Sequence, residues 1–339
     1  MGLIKSIAKS TPPIKKLLAQ REKFRGEVTR HQAECDQLRT ERDRLEAERD
    51  QVRMERGQWR AACGCAPPGH FSSPIPAMED VLRYEGRIFD RSLREISGVD
   101  LNVAGQLKLL GELSAYYAEV PFPRQPTEGI RYYFENDFYS YGDAIFLYGM
   151  IRHAQPRRII EIGSGFSSSV MLDTNERFFG NRIRLTFVEP EPERLCSLLK
   201  EGDRVTTEIL TMPVQDVELA RFRALEAGDI LFVDSSHVVK VGSDVSYILF
   251  DIIPHLSPGV LVHFHDMFYP FEYPRAWVVE RRMFWNEDYV VRAFLQFNSV
   301  FRVAIWNSFL VTHYAHELER AMPMCLENLG GSLWLRRTD

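Results

Sequence analysis

The chain has 339 residues, 45% of them hydrophobic and 12% aromatic, with a net charge of -5, which suffices for one large domain plus an appendage. Five cysteines (Cys35, Cys63, Cys65, Cys196, Cys325) are an odd number in a long chain and argue against a secreted disulfide framework. No apolar run approaches the roughly 20 residues that span a bilayer, and the start lacks the apolar stretch and cleavage site of a signal peptide, so a cytoplasmic protein is expected.

Charge is uneven along the chain. Residues 1–62 hold 15 Lys and Arg against 10 Asp and Glu, and the remainder holds 27 against 37. An acidic main domain argues against nucleic acid as the principal substrate. Residues 1–13 form a basic tail in which Leu3, Ile4 and Ile7 stand near helical spacing. The tail reads either as a frayed terminus or as a weak membrane-surface contact.

Residues 14–60 read as one long helix. Leu17, Phe24, His31, Leu38, Leu45, Val52 and Trp59 recur every seven residues, and the companion positions Val28, Cys35, Arg42, Arg49 and Arg56 begin apolar and turn basic. A heptad seam of this kind predicts a coiled coil and self-association, because a lone helix of this length is marginal in water. Residues 61–78, with Cys63, Cys65, four prolines and two glycines, read as a linker. Cys63-x-Cys65 with His70 lacks the second pair that a zinc site requires.

Residues 79–130 are expected to be helical up to Val120 and to form a lead-in or cap. The aromatic run from Tyr132 to Tyr141 then precedes a helix over Ala144–His153. Those rings suit a core or a lid over a cationic ligand, and Tyr141 is the candidate for such a contact.

From Arg157 the pattern alternates. Strands are predicted at Arg157–Ile162, Ile183–Val188, Val205–Leu210, Asp229–Asp234, Gly259–Asp266, Phe301–Trp306 and Ser332–Arg336. Helices are expected between them, at Phe166–Glu176, Val245–Ile253, Phe284–Phe297 and Tyr314–Leu329. The alternation specifies an α/β, Rossmann-like, doubly wound sheet over 131–339. Gly163-Ser-Gly165 turns the first strand into a helix, and acids recur at successive strand ends: Glu161, Glu189, Asp216, Asp234 and Asp266. Ligands of open α/β sheets bind at that edge. The glycine turn is a degraded dinucleotide signature, with Ser168 where a third glycine is expected.

From about Tyr132 to Arg337 the sequence resembles the class I S-adenosylmethionine-dependent methyltransferases. EIGSG at Glu161–Gly165, FVEP at Phe187–Pro190 and VQD at Val214–Asp216 are similar to their cofactor motifs. FVDSSH at Phe232–His237 with LSPGVLVHFHD at Leu256–Asp266 resembles a subfamily acting on sugars, glycans and secondary metabolites. Ser236 and Val260 depart from that pattern. The resemblance implies a seven-stranded sheet, with Gly163 and Gly165 beside the methionine portion of the cofactor and Glu161 near its ammonium. It places Glu189 on the ribose and Gln215 and Asp216 on the adenine.

An O-methyltransferase acting on a small-molecule or glycan-like acceptor is therefore expected. His237 or His265 would serve as base beside Asp234, because imidazole titrates in the useful range. Asp234, His265 and Asp266 are candidate ligands for Mg2+. Phe268, Tyr269, Phe271, Tyr273 and Arg275 are expected to line the acceptor pocket. Two rival readings stand beside this one: an NAD-dependent oxidoreductase, and a non-catalytic coiled-coil scaffold whose sheet merely holds cofactor.

Overall fold

The structure is a computed structural model and describes residues 12–62 and 66–339. The basic tail over residues 1–13 therefore lies mostly outside the described residues, as do Cys63 and Cys65. The chain divides into two compact units, Met1–Met78 and Glu79–Asp339.

In the first unit, helix α1 runs unbroken over Pro12–Ala62. Its apolar residues stay in solvent: Leu17, Phe24, Leu38, Leu45 and Val52 are all exposed. No helix among the described residues is long and apolar enough to cross a membrane.

The second unit is built on a seven-stranded sheet. Its strands are β1 (Arg158–Ile162), β2 (Arg184–Val188), β3 (Thr207–Leu210), β4 (Ile230–Val233), β5 (Leu261–Phe264), β6 (Phe301–Trp306) and β7 (Leu333–Arg337). The order is β3-β2-β1-β4-β5-β7-β6. The first five strands pair in parallel, and β7 runs antiparallel to both β5 and β6. The central strands β4 and β5 are buried along their whole length. Continuous apolar runs such as Ile-Leu-Phe-Val are what a parallel strand covered on both faces requires.

Two helical expectations need correction. Glu79–Val120 is not one helical stretch: α2 occupies only Val103–Ser114, and shorter turns lie at Met78–Arg83 and Glu85–Ile88. The chain between them is held in turns where Asp90 and Asp100 accept hydrogen bonds from the backbone two residues on, the local competition that acidic side chains offer to a helix. The expected Tyr314–Leu329 helix starts earlier and breaks. It becomes Asn307–His313, Ala315–Ala321 and a short turn at Pro323–Leu326, with Pro323 unable to continue a helix.

The aromatic run is mainly core. Tyr132, Phe134, Tyr139 and Tyr141 are buried, while Phe138 stays exposed. Arg131 anchors the run from inside. Its buried guanidinium pairs with Asp173 at 2.6 Å and Asp203 at 2.5 Å, and also meets Glu176 at 2.7 Å. A buried guanidinium persists only where such partners repay its desolvation. The result ties the lead-in segment to the helix that follows β1.

Candidate functional site

The carboxyl edge of the sheet carries two cavities. The first, about 440 Å³, lies over the ends of β1, β2 and β4 and is lined by Gly163, Glu189, Gln215, Asp234, Ser235 and Asp244 among others. Its geometry starts at the β1 turn. Gly163 adopts φ +80, and a Cβ there would meet the Asp234 carbonyl oxygen at 1.7 Å. Only glycine allows the β1 turn and the β4 end to approach so closely. Glu189, at the tip of β2, accepts hydrogen bonds from the Ser164 and Glu191 backbone amides at 2.8 and 2.9 Å. A carboxylate held in this way keeps acceptor capacity on both oxygens. Gln215 donates to the Gly242 carbonyl at 2.8 Å, which fixes its amide at the wall.

Several residues expected at this cleft lie elsewhere. Glu161 is fully buried behind the β1 turn, where it accepts hydrogen bonds from Ser167 at 2.6 Å and from Ser168. Burial pushes its carboxyl up to about 8, with the serines opposing. It is therefore largely neutral at pH 7 and is not placed to pair with an ammonium. Gly165 shapes the helix start over Phe166–Thr174, close to Arg194, and does not line the cleft. Asp216 is exposed at the end of the Val214–Asp216 turn, outside the lining. Tyr141 stacks flat on Phe134 at 4.9 Å and donates to Glu135. With one face already occupied and its hydroxyl engaged, it lines neither cavity.

The second cavity, about 630 Å³, opens beside Asp266 and His265. Phe138, Phe268, Trp277, Arg281, Met283 and Trp285 form much of its wall. Of the residues expected to line an acceptor pocket, only Phe268 does so. Tyr269, Phe271 and Tyr273 are buried core, and Arg275 is occupied by Glu85 at 2.8 Å.

Between the two cavities lies a compact charged array. His237 is 6% exposed and sits at φ +59, a conformation that costs a non-glycine residue of order 1–3 kcal/mol. Its Nδ1 lies 2.9 Å from Glu287, and its Nε2 lies 3.4 Å from Asp234 and 3.6 Å from Asp266. His265 Nδ1 lies 3.4 Å from the same Asp234 oxygen and 3.7 Å from Asp266. Burial opposes the charge on His265, yet Asp266 and Asp234 outweigh it and raise the ring to about 10. Asp234 and Glu287 likewise outweigh burial at His237 and hold it well above the ordinary histidine value. His263, on the same strand face, is different. It stacks on Phe232 at 3.8 Å without a hydrogen-bond partner, and burial holds it neutral.

Asp234, His265 and Asp266 thus come together, but as ion-pair partners rather than as a metal cage. Among the described residues, no group of three or more His, Cys, Asp or Glu is arranged to hold a metal ion. Mg2+ favours oxygen ligands in near-octahedral geometry, and here two imidazoles stand against the two carboxylates of Asp234 and Asp266. The donor set does not fit Mg2+.

Glu287 was not anticipated. It opens the helix α3 (Glu287–Leu295) and is 1% exposed. It also accepts from the Ser235 hydroxyl at 2.9 and 3.0 Å, while the Asn286 and Glu287 amides donate to the His237 carbonyl. An acid in the first turn of a helix ordinarily complements the helix dipole, so the sequence offered no reason to bring it to the site.

Residues 160–267 match the family model of the methyltransferase domain. Over 165 residues the chain is 39% identical to an uncharacterized protein of Archaeoglobus fulgidus, covering 47% of this chain and 73% of that one. Among solved structures, the O-methyltransferase TomG from Streptomyces achromogenes, in complex with SAM, shares 15% identity over 77% of this chain and 96% of its own, with a TM-score of 0.37. CmcI-N160 with SAH shares 15% identity over 66% and 91%, with a TM-score of 0.38. Likenesses of that extent do not bear on what this chain binds. The sheet and the family match define an α/β methyltransferase of the S-adenosylmethionine-dependent class. More narrowly, the chain belongs to the family it shares with the archaeal protein.

Proposed function

We propose that the protein is an O-methyltransferase that binds S-adenosylmethionine in the 440 Å³ cleft and a small-molecule or glycan-like hydroxyl acceptor in the 630 Å³ cavity. The observation that carries the cofactor reading is the charge of the first cleft: Glu189, Glu191, Asp234 and Asp244 line it against a single cation, Lys240. An acid-lined cleft suits a cationic sulfonium. It disfavours the pyrophosphate of NAD, which would want amide donors and positive charge, and this weighs against the oxidoreductase reading.

Glu189 would hold the ribose hydroxyls, Gln215 would border the adenine, and Asp234 would face the methionine end. S-adenosylmethionine supplies an electrophilic methyl group. The chain's own contribution is to align an acceptor oxygen with it, and such alignment supplies much of the acceleration in a displacement of this kind. His265 lines the acceptor cavity and is the residue we assign as base. Asp234 and Asp266 would stabilise the imidazolium formed there. Glu287 positions His237, whose Nε2 fixes the same two carboxylates from the other side.

The first test is calorimetric titration of the protein with S-adenosylhomocysteine, repeated on Glu189→Ala. Binding by the wild type that the variant weakens roughly ten- to hundredfold is expected. Absence of binding by the wild type overturns the reading. We also assign self-association to α1, whose exposed heptad column is otherwise uncovered. A scaffold without turnover would keep that assembly in Glu189→Ala and show no methyl transfer in any acceptor screen.

A further inference from the structure

Helix α1 holds more information than its apolar column. Leu17, Phe24, Leu38, Leu45 and Val52 are 55–69% exposed on a helix of 51 residues. With this column at heptad position d, position a reads Ile14, Arg21, Val28, Cys35, Arg42, Arg49 and Arg56. The column on one flank, position g, reads Gln20 and then Glu27, Glu34, Glu41, Glu48 and Glu55. The column on the other flank, position e, reads Arg25, Gln32, Arg39, Glu46 and Arg53. From Glu27 on, one side of the seam is therefore acidic and the other mainly basic.

We propose that two copies of α1 pair in parallel and in register, so that both chains leave the pair at the same end. The inference rests on the self-association assigned above and adds its partner, strand number and direction. Charges at e and g set orientation in coiled coils. In a parallel pair, each g residue faces the partner's e residue five positions on. Glu34 then meets the partner's Arg39, Glu48 meets the partner's Arg53, and Glu27 meets the partner's Gln32. Glu41 opposite the partner's Glu46 is the one repulsive pair among these flanking contacts, and at position a Arg42, Arg49 and Arg56 each lie next to their own copy.

An antiparallel pair would instead set g against g and e against e. Five glutamates would face five glutamates, and the arginines of e would face one another. It would also bring Arg42, Arg49 and Arg56 of one chain against the apolar half of the other, where a guanidinium has no partner. In the parallel pair the same arginines fall beside the partner's Glu41, Glu48 and Glu55. Within a single helix, Arg42 and Arg49 have only exposed contacts to the adjacent Asp43 and Asp50, which long flexible side chains exchange readily. Basic residues at a also favour two strands over three, because in a dimer their charged ends can reach the rim.

The test uses the full chain with Cys35, Cys63, Cys65 and Cys196 replaced by serine. Cys325 is buried and remains. Into this background Leu17→Cys or Val52→Cys is placed singly, near opposite ends of the helix. Sedimentation equilibrium gives the strand number, and oxidation with diamide followed by a non-reducing gel gives the direction. A dimer in which each variant cross-links to its own copy is expected. A dimer in which neither does so, but a mixture of the two variants does, overturns the parallel assignment. A trimer overturns the strand number, and a monomer overturns the self-association itself. S-adenosylhomocysteine binding, measured on the same samples, keeps failure of the methyltransferase reading separate. Glu34→Lys with Glu48→Lys should weaken dimerisation at least tenfold. Adding Arg39→Glu with Arg53→Glu should restore it, which an antiparallel pair would not allow. A quadruple variant as weak as the double one also overturns the proposal.

Discussion

The two cavities that meet at Asp234 and His265 are made in different ways. The first is made by the sheet. Gly163, Glu189 and Asp234 stand at or just beyond the ends of β1, β2 and β4, within a few residues of strands whose register is fixed by backbone hydrogen bonds. The second is assembled from segments far apart in the chain: Asn136–Ser140, Pro274–Trp285 and Asn328–Gly331. Placement in the first follows from strand order, whereas placement in the second depends on how three loops pack. Cofactor binding should therefore be sensitive to single atoms at the β1 turn and indifferent to the aromatic wall.

The sharpest way to break that contrast is Gly163→Ala. The new methyl would overlap the Asp234 carbonyl, in a backbone conformation that already costs an alanine of order 1–3 kcal/mol. We expect loss of S-adenosylhomocysteine binding together with a large fall in the melting temperature. Wild-type values for both would mean that the turn is not built as described. Glu287→Ala comes next. Removing one partner of a buried ion pair costs about 3–5 kcal/mol, because His237 would be left charged and buried without its Nδ1 acceptor. Thermal unfolding should show this as a drop of several degrees, and Glu287→Gln should recover part of it.

Glu189→Ala should cost less stability and more affinity. Hydrogen bonds to a charged group contribute about 1.5–3 kcal/mol, so S-adenosylhomocysteine affinity should fall roughly ten- to hundredfold. A variant that binds as the wild type does would remove Glu189 from the cofactor site. The pH dependence follows from His265. With the ring raised to about 10 by Asp266 and Asp234 against burial, it carries its proton at neutral pH and cannot accept another. Methyl transfer to an acceptor found by screening should therefore rise about tenfold per pH unit from 7 toward 10. A profile already flat at pH 7 would take the role of base away from His265.

What the sequence conveyed divides along the same line. Ile159, Ile160 and Ile162, Phe232 and Val233, and Val262 and Phe264 announce buried parallel strands. The acids at their ends fall at the ligand edge because strand topology puts them there. Glu161 misled because its position in the motif is the same whether its side chain turns toward the cleft or back under the following helix. Only the packing of Ser167 and Ser168 decides between these. Tyr273 and Trp277 are four residues apart and equally aromatic, yet one is buried core and the other lines a cavity. No periodicity separates them, because they lie in an irregular stretch around a short helix. Glu287 carries the same lesson over a separation of 50 residues from His237. In α1 the seven-residue repeat is legible directly, and its apolar residues Leu17, Phe24, Leu38, Leu45 and Val52 are exposed.

The smallest expected effect is also the one that separates the two cavities most cleanly. Trp277 lies in the aromatic wall of the second cavity, with its ring edge-on to Phe268 at 5.1 Å and to Trp285 at 5.6 Å, and it does not line the first cleft. Trp277→Ala should change S-adenosylhomocysteine affinity less than about twofold, since substitutions without a shared partner are close to independent. The same substitution should weaken any acceptor that stacks against the wall, because aromatic faces contribute most where they are partly desolvated. Calorimetry with S-adenosylhomocysteine and kinetics with the acceptor read the two effects separately. If Trp277→Ala lowered cofactor affinity as strongly as Glu189→Ala does, the cavities would be one continuous site. The division between a sheet-built cleft and a loop-built pocket would then fail.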